Sequence, residues 1–311
     1  MELMQDFEYK RPEHLKELLS LLSQHGEEAA LIAGGTDLIP RIKMELKRPK
    51  IILSLSAVNG LSYIQQDERT LKIGALTTLY ELQHHPTVCQ SYPAFFEAIK
   101  STASENIRLR ATIGGNVIQD TRCLYYNQFR EWRASFKPCF KNHGDICNAV
   151  KGSRRCFSTY CGDLAPALIS LGASIYLMSK NGNREIPLEA IFSGNGVSPF
   201  SLRQGELLKE VIIPFSRTIG GYKKLRIRNS IDYPLVSVAL SSDQTEKGRL
   251  VIGAMGPQPL NYEFSSYKQL ILLAGKAYED ATPVANMPPS PLYRKRMIKV
   301  LAEELIKSMM N

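Results

Sequence analysis

The sequence predicts an α+β protein made of a large mixed domain, an irregular insertion and a smaller domain with an antiparallel sheet. Three observations indicate this. Helical and strand patterns alternate over the first hundred residues, periodicity disappears across residues 121–160, and three strand-like segments followed by two helices close the chain. The 311 residues suffice for two domains. We place them at residues 1–216, with the insertion at 121–160, and at residues 217–311.

Composition is that of a folded protein. Hydrophobic residues make up 44% of the chain and charged residues 22%, close to the globular average. No apolar run is long enough for a membrane helix, and the acidic, polar segment from Met1 to Lys10 lacks the layout of a signal peptide. We therefore expect a soluble, cytoplasmic protein without a membrane partner. The net charge of +9 permits an acidic partner but does not identify one.

The first domain begins with an amphipathic helix that ends at Gly26 and buries a stripe of four leucines: Leu15, Leu18, Leu19 and Leu22. An apolar run at 29–33, the pair Gly34-Gly35 and a periodic segment reaching Leu46 predict a strand, a tight turn and a helix. Further elements follow as strands at 50–55 and 70–75, a helix at 92–103, and a second glycine turn at Gly114-Gly115.

After the insertion, the pattern predicts a helix at 163–171 and a strand at 174–178. The smaller domain then shows three alternating segments typical of strands, at 222–228, 235–240 and 249–254. Two helices follow, the last beginning near Pro291.

The two glycine pairs are the first chemical signal. A glycine turn between a strand and a helix exposes backbone N–H groups, which bind phosphate oxygens well. One such turn is ordinary in any α/β protein, but two that face each other predict a pocket for a pyrophosphate. Neither matches the G-x-G-x-x-G fingerprint or the phosphate loop of nucleoside triphosphatases.

Four segments together resemble successive signatures of the FAD-binding subunits of the xanthine dehydrogenase family of molybdenum hydroxylases: Leu31 to Leu38, Ile73 to Thr78, Ala111 to Asn116 and Gly162 to Leu168. The resemblance continues to Tyr293-Arg294 and covers nearly the whole chain. It implies a two-subdomain FAD-binding fold of the PCMH type, followed by a small α+β domain with a three-stranded antiparallel sheet.

The resemblance also implies the FAD-contacting positions. The two glycine loops would hold the pyrophosphate, the aspartate of the Gly-Asp signature would contact the nucleotide, and a lysine of the small domain would lie near the flavin. The leucine before the Ile-Pro step aligns at Leu208 or Lys209. No catalytic residue is expected. The cofactor-binding set is Ile32, Ala33, Gly34, Gly35, Thr36, Asp37, Leu38, Thr112, Ile113, Gly114, Gly115, Asn116, Asp163, Leu208 and Lys224.

The insertion departs from ordinary family members, because 47 positions separate Asn116 from Asp163. Its cysteine spacing resembles the insertion that distinguishes 4-hydroxybenzoyl-CoA reductases, which holds a [4Fe–4S] cluster. The implied ligands are Cys123, Cys139, Cys147 and Cys156. Zinc is an alternative, although its usual C-x-x-C knuckles are missing. Cys161 leaves the identity of the fourth ligand open.

The insertion carries eight basic residues against two acidic ones. A basic loop around an entry cluster would steer an acidic ferredoxin. The candidates are Arg130, Arg133, Lys137, Lys141, Lys151, Arg154 and Arg155. A basic nucleic-acid-binding module is the alternative from another class, and it rests on charge alone. We also expect the insertion to be an appendage, so that loss of its cysteines removes iron and spares FAD.

The resemblance implies a flavin and iron–sulfur electron-transfer subunit of an oxidoreductase complex. Its partners would be a molybdopterin-binding large subunit, a small subunit with two [2Fe–2S] clusters and ferredoxin as donor, in a dimer of heterotrimers. The reaction implied is the reductive dehydroxylation of 4-hydroxybenzoyl-CoA to benzoyl-CoA. The alternative is a xanthine dehydrogenase-like hydroxylase that oxidises a purine or another N-heteroaromatic compound. The flavin-site residues do not decide the substrate or the direction of electron flow.

Overall fold

The computed structural model describes residues 6–310, so the amino-terminal segment singled out above lies partly outside the described residues. Up to the insertion, the elements in chain order are β1 (Glu8–Lys10), α1 (Leu15–His25), β2 (Ala29–Ile32), α2 (Leu38–Lys43), β3 (Ile51–Ser54), β4 (Ile64–Gln66), β5 (Thr70–Gly74), α3 (Leu79–His84), α4 (Pro86–Ser91), α5 (Pro93–Ser101), α6 (Glu105–Arg108) and α7 (Ile113–Val117).

The insertion contributes one short helix, α8 (Arg130–Ala134), and a 3₁₀ turn at Phe140–Asn142. The remaining elements are α9 (Leu164–Ser170), β6 (Ser174–Ser179), β7 (Gly182–Pro187), β8 (Leu207–Pro214), β9 (Ile219–Leu225), β10 (Val236–Ser242), β11 (Gly248–Gly253), β12 (Leu260–Phe264), α10 (Tyr267–Asp280) and α11 (Pro291–Met310).

Three sheets organise the molecule. The first is parallel, with strand order β1-β3-β2. The second has five antiparallel strands in the order β4-β5-β8-β6-β7. The third is antiparallel with the order β12-β11-β10-β9. The predicted alternation of helices and strands and the predicted antiparallel small sheet are therefore both present.

Each sheet is covered by helices that bury its apolar face. Leu18, Leu19 and Leu22 of α1 pack on the first sheet, and Gly26 ends this helix with a φ of +50°. The main core lies between the second sheet, α5, α9 and the inner face of the third sheet. A further core fills the space between the third sheet and helices α10 and α11. Because the main core includes Tyr222 and Val251, the two predicted domains share a continuous interior.

Two sequence predictions are wrong in detail. The small sheet has four strands instead of three, because Leu260–Phe264 pairs with β11 as an edge strand. The second glycine pair is also not a turn between a strand and a helix. Gly114 and Gly115 lie inside the short helix α7, whose amino end is capped by the Thr112 hydroxyl.

Candidate functional site

A cavity of about 480 Å³ lies where the first glycine loop, α7 and the connection between β9 and β10 meet. The loop supplies Leu31 and residues 33–38, and α7 supplies Thr112, Gly115 and Asn116. Arg228 and residues 231–233 form another wall. The cavity thus draws its walls from both predicted domains.

The first glycine loop follows the carboxyl end of β2. A Cβ at Gly34 would lie 1.7 Å from the carbonyl oxygen of Arg110, so only glycine lets the loop approach that backbone. Gly35 has a φ of +72°, which also favours glycine. The two glycine segments therefore meet at the cavity, as the sequence predicts.

The backbone N–H groups of this loop are available to a ligand. Within residues 6–310, the N–H groups of Gly34, Gly35 and Thr36 donate no hydrogen bond to another protein group. In α7, by contrast, Gly114 N donates to Ala75 O at 3.0 Å and Gly115 N donates to the Thr112 hydroxyl at 3.2 Å. The first loop thus offers donors to an anion, whereas Gly115 offers space.

Beside the cavity, a buried ion pair joins the two domains. Nζ of Lys224 donates to Oδ1 of Asp163 at 3.0 Å and to the carbonyl of Asp232 at 3.2 Å, and the Tyr222 hydroxyl donates to the same Asp163 oxygen at 2.7 Å. Burial raises the pKa of Asp163, and the positive charge of Lys224 opposes that rise. Asp163 lines the cavity, and Lys224 supports it from behind.

Ten of the fifteen predicted cofactor-binding residues line the cavity: Ala33, Gly34, Gly35, Thr36, Asp37, Leu38, Thr112, Gly115, Asn116 and Asp163. Five do not: Ile32, Ile113, Gly114, Leu208 and Lys224. Ile113 and Leu208 are buried in the main core, and Gly114 packs against Ala75.

Sequence reasoning assigned no role to several other wall residues, among them Arg41, Asp120 and Tyr233. Asp120 is the centre of a partly buried charge network. It accepts from Arg41 of α2, and its Oδ1 accepts from Lys141 at 2.8 Å. Burial alone would raise the pKa of Asp120, but Lys141 and Arg41 outweigh burial and hold this pKa below its usual range. Asp120 is therefore charged at neutral pH and neutralised by two cations.

Arg122, at the start of the insertion, forms a second link. Its guanidinium pairs with Asp37 of the first glycine loop and lies over the ring of Tyr233, 4.8 Å from its centre. The neighbouring residue is Cys123. The base of the cysteine segment is thus attached directly to the cavity wall.

The four predicted ligand cysteines surround one small apolar pocket, although they span residues 123–156. Tyr126, Phe140 and Phe157 also line it. Burial raises the pKa of Cys123 to about 12 and raises that of Cys156 above its ordinary value. Since metal ligation requires thiolates, loading of this pocket would release protons.

The pocket does not have the geometry of a mononuclear metal site. In the part of the chain described, no group of three or more His, Cys, Asp or Glu side chains is close enough to hold a single metal ion. Tetrahedral zinc would require sulfurs about 2.3 Å from one centre, whereas each cysteine of a cubane cluster binds a different iron and the sulfurs lie further apart. The choice of metal group at the four cysteines stays a prediction.

Cys161 does not line the cysteine pocket. It is buried in the wall of the larger cavity, with its Sγ 3.8 Å from the sulfur of Met287. Cys89 lies in α4, and its thiol donates to the carbonyl of Gln83 at 3.1 Å.

The basic residues of the insertion divide into two groups. Arg133 is buried, and its guanidinium donates to the carbonyls of Met44, Glu45 and Gln128 at 3.1 to 3.3 Å. The Lys141 side chain is only 4% exposed. These two residues were predicted to form a docking surface, and burial removes both from it. The exposed members are Arg130, Lys137, Lys151, Arg154 and Arg155.

A comparison with protein families identifies the class. Residues 5–216 match the family described as the FAD binding domain in molybdopterin dehydrogenase. The cavity described above lies mainly within that match. The chain belongs to this family, and it is an oxidoreductase subunit for which FAD is the supported cofactor.

Individual relatives span the whole chain. The FAD-binding subunit of an aldehyde oxidoreductase from Escherichia coli is 31% identical, covering 96% of this chain and 98% of the relative. The FAD subunit of nicotinate dehydrogenase from Eubacterium barkeri is 25% identical, covering 99% and 97%. Both relatives are named as FAD subunits of their enzymes, and a similar carbon monoxide dehydrogenase chain is named as a medium chain.

Solved structures share the fold. Carbon monoxide dehydrogenase from Hydrogenophaga pseudoflava superposes with a TM-score of 0.79 at 22% identity, covering 99% of both chains. Quinoline 2-oxidoreductase from Pseudomonas putida 86 gives 0.75 at 22% identity, covering 99% of this chain and 98% of the other. None of the helices within residues 6–310 has the length and apolar character needed to cross a membrane.

Proposed function

We propose that this chain holds FAD in the 480 Å³ cavity and a [4Fe–4S] cluster on Cys123, Cys139, Cys147 and Cys156, and that it transfers electrons within a molybdenum enzyme. One observation carries this proposal. The four cysteines converge on one apolar pocket, and Arg122, next to Cys123, pairs with Asp37 in the wall of the larger cavity.

In the larger cavity, the residues present suit a dinucleotide. The free N–H groups of Gly34, Gly35 and Thr36 would donate to the pyrophosphate, and Gly115 would leave room for it. Asp163, held by Lys224 and Tyr222, would accept from a hydroxyl or N–H group of the cofactor. FAD supplies one- and two-electron exchange when bound, and the chain supplies its position and electrostatic surroundings.

In the smaller pocket, four cysteines on irregular backbone suit a cubane cluster, because the ligands need no fixed helical or strand spacing. Tyr126, Phe140 and Phe157 would exclude water from it. Lys141 also lines this pocket and adds positive charge near the thiolates.

We propose the division into a FAD-binding domain at residues 1–216, a cluster insertion at 121–160 and a C-terminal domain at 217–311. The partners proposed are a molybdopterin-binding large subunit, a small subunit with two [2Fe–2S] clusters and ferredoxin, assembled as a cytoplasmic dimer of heterotrimers. The chain itself would not touch the organic substrate.

For the reaction of the complex we propose reductive dehydroxylation of 4-hydroxybenzoyl-CoA. The support is the resemblance of the cysteine spacing to the insertion of such reductases. A second candidate is aldehyde oxidation, which the 31% identity to an aldehyde oxidoreductase subunit favours. The similarity to a nicotinate dehydrogenase subunit favours another oxidation, that of an N-heteroaromatic compound, as a variant of this second candidate.

The complex, purified under anaerobic conditions with its large and small subunits, tests these reactions. We expect formation of benzoyl-CoA from 4-hydroxybenzoyl-CoA with reduced ferredoxin. Rapid oxidation of benzaldehyde or nicotinate with an acceptor dye, together with no formation of benzoyl-CoA, would reject the reductase assignment and leave the electron-transfer role intact.

A further inference from the structure

Four carboxylates line the cavity proposed for FAD, and two of them, Asp37 and Asp120, pair with residues of the insertion. The pyrophosphate of FAD is anionic, so an uncompensated carboxylate in the same cavity would oppose its binding. Both carboxylates are paired in the structure, Asp37 with Arg122 and Asp120 with Arg41 and Lys141. The affinity for an anion therefore depends on these cations staying in place.

Two of the three cations come from the insertion. Arg122 lies next to Cys123, and Lys141 lies between Cys139 and Cys147. Nζ of Lys141 bonds to Oδ1 of Asp120 and to the Thr121 hydroxyl, both at 2.8 Å. The side chain of Lys141 is more deeply buried than that of Asp120, with 4% and 18% exposed respectively. The pair is thus shielded from salt and solvent.

The insertion also holds the segment that follows α2. Arg133 donates to the carbonyls of Met44 and Glu45 at 3.1 and 3.3 Å, and the Tyr126 hydroxyl donates to Leu46 O at 3.0 Å. Because α2 directly follows the first glycine loop, these bonds fix the loop from its far side.

Little regular structure within the insertion itself holds its backbone in one conformation. Within the described residues it contains one five-residue helix and one 3₁₀ turn, and three of its aromatic side chains, Phe129, Trp132 and Phe136, are exposed. A group that binds the four cysteines would cross-link residues 123, 139, 147 and 156 and so restrict the backbone that carries Lys141.

We propose that cluster binding and FAD binding are thermodynamically coupled through the Lys141–Asp120–Arg41 network and the Arg122–Asp37 pair. This inference rests on the function proposed above. When the cluster is lost, Lys141 withdraws, Asp120 keeps only Arg41, and FAD binds more weakly. By reciprocity, FAD stabilises the cluster-bearing insertion by the same factor. The insertion then supports the cavity wall through these pairs, in contrast to the prediction of an independent appendage.

The test is the dissociation constant of FAD, measured by flavin fluorescence on the full chain under anaerobic conditions. We expect Cys147→Ser, which removes a cluster ligand, to weaken FAD binding by about tenfold, within the range that coupling between sites usually spans. Lys141→Met, which keeps the cysteines and the side-chain length, should weaken it by a similar factor. Lys137→Met, an exposed lysine of the same insertion, should change nothing.

A rescue separates charge from general disorder. In the Lys141→Met background, adding Asp120→Asn removes the carboxylate that has lost its lysine partner and should restore most of the lost affinity. Adding Cys147→Ser to Lys141→Met should cost less than Cys147→Ser alone, since both act on the same pair. Unchanged FAD affinity in Lys141→Met, or no rescue by Asp120→Asn, would overturn the coupling. Protein without iron would refute the proposed cluster, while the Lys141 and Asp120 variants would still test the network.

Discussion

Gly114 and Gly115 are neighbours in α7, yet a side chain at each would meet different surroundings. A Cβ at Gly114 would lie 2.8 Å from the Cβ of Ala75 and 2.9 Å from its carbonyl oxygen, inside the protein. A Cβ at Gly115 would meet only the Thr112 hydroxyl, at 3.1 Å, and would otherwise extend into open space beside the cavity. Gly114 is therefore required for packing, and Gly115 leaves room for the ligand.

We therefore expect Gly115→Val to keep the fold and lose FAD affinity by about 10- to 100-fold, because the new side chain fills space needed by the pyrophosphate and displaces it from one charge-assisted hydrogen bond to the first glycine loop. Gly114→Ala should instead lower the free energy of unfolding. Gly275→Ala, at a helix position with open space around the new Cβ, is the matched control. Flavin titration and urea unfolding of the three variants measure both effects. Normal FAD affinity in Gly115→Val would remove α7 from the binding site.

The buried ion pair between Asp163 and Lys224 leads to a second prediction. Lys224→Met removes the cation beside the buried Asp163 carboxylate and leaves it only neutral donors, among them the Tyr222 hydroxyl, which should cost about 3–5 kcal/mol of unfolding free energy at pH 7. Burial already raises the pKa of Asp163 in the folded state, and loss of the lysine raises it further. Folded protein then binds the proton more tightly than unfolded protein, so the cost should shrink as the pH falls from 7 to 5. A cost that does not vary with pH would contradict this account.

At the scale of elements, the connection between α10 and α11 holds the base of the insertion. Nδ2 of Asn286 donates to Phe157 O at 2.7 Å and to the Thr159 hydroxyl at 3.0 Å. The backbone carbonyl of Asn286 accepts from Leu124 N at 2.8 Å. Arg122 and Thr159 pair beside it as a short antiparallel bridge. The C-terminal domain thus clamps both ends of the insertion.

Asn286→Ala removes the two side-chain bonds and keeps the backbone bond. We expect about 1–3 kcal/mol less protection against hydrogen exchange for amides near Arg122 and Thr159, because a buried carbonyl loses its partner. Asn183→Ala, at an exposed position of β7, should leave the exchange unchanged. If the Asn286 variant exchanges like the parent protein, the connection is not what holds the insertion.

Local sequence pattern predicted the elements whose periodicity comes from their own buried face. The leucine stripe of α1 and the alternating strands β10 and β11 are such cases. It failed at Gly114-Gly115, where a threonine cap and contact with Ala75 select a helix for a glycine-rich segment. It also missed β12, an edge strand that depends on pairing with β11. Both errors concern elements stabilised by contacts outside themselves.

Across the whole molecule, the basic residues of the insertion have two roles: some are buried and bond to the FAD-binding region, and the others are exposed. Arg122 and Arg133 bond to groups of the FAD-binding region that are 85 and 89 residues away, and Lys141 bonds to Asp120, 21 residues away. Sequence alone therefore could not distinguish these residues from surface charges. The glycine loops and Asp163 were predictable because their local motif resembles the family. Asp120 was not, since its role depends on where Arg41 and Lys141 meet.

The exposed basic residues of the insertion remain candidates for docking of an acidic ferredoxin. Charge reversal by Lys137→Glu with Arg155→Glu in the assembled complex should slow reduction by ferredoxin and weaken its dependence on salt, because steering acts on the association rate. Reduction by a small neutral dye should stay unchanged. If the ferredoxin rates and their salt dependence match those of the parent complex, this surface serves another partner.

We have proposed that one chain holds FAD and a [4Fe–4S] cluster in adjoining sites. Cofactor analysis of the anaerobically purified chain tests it most directly, as iron, acid-labile sulfide, zinc and flavin per polypeptide. Four thiolate ligands and one dinucleotide cavity predict about four iron, four sulfide and one FAD per chain. Zinc without iron, or flavin with no iron in protein that was never exposed to air, would contradict the account.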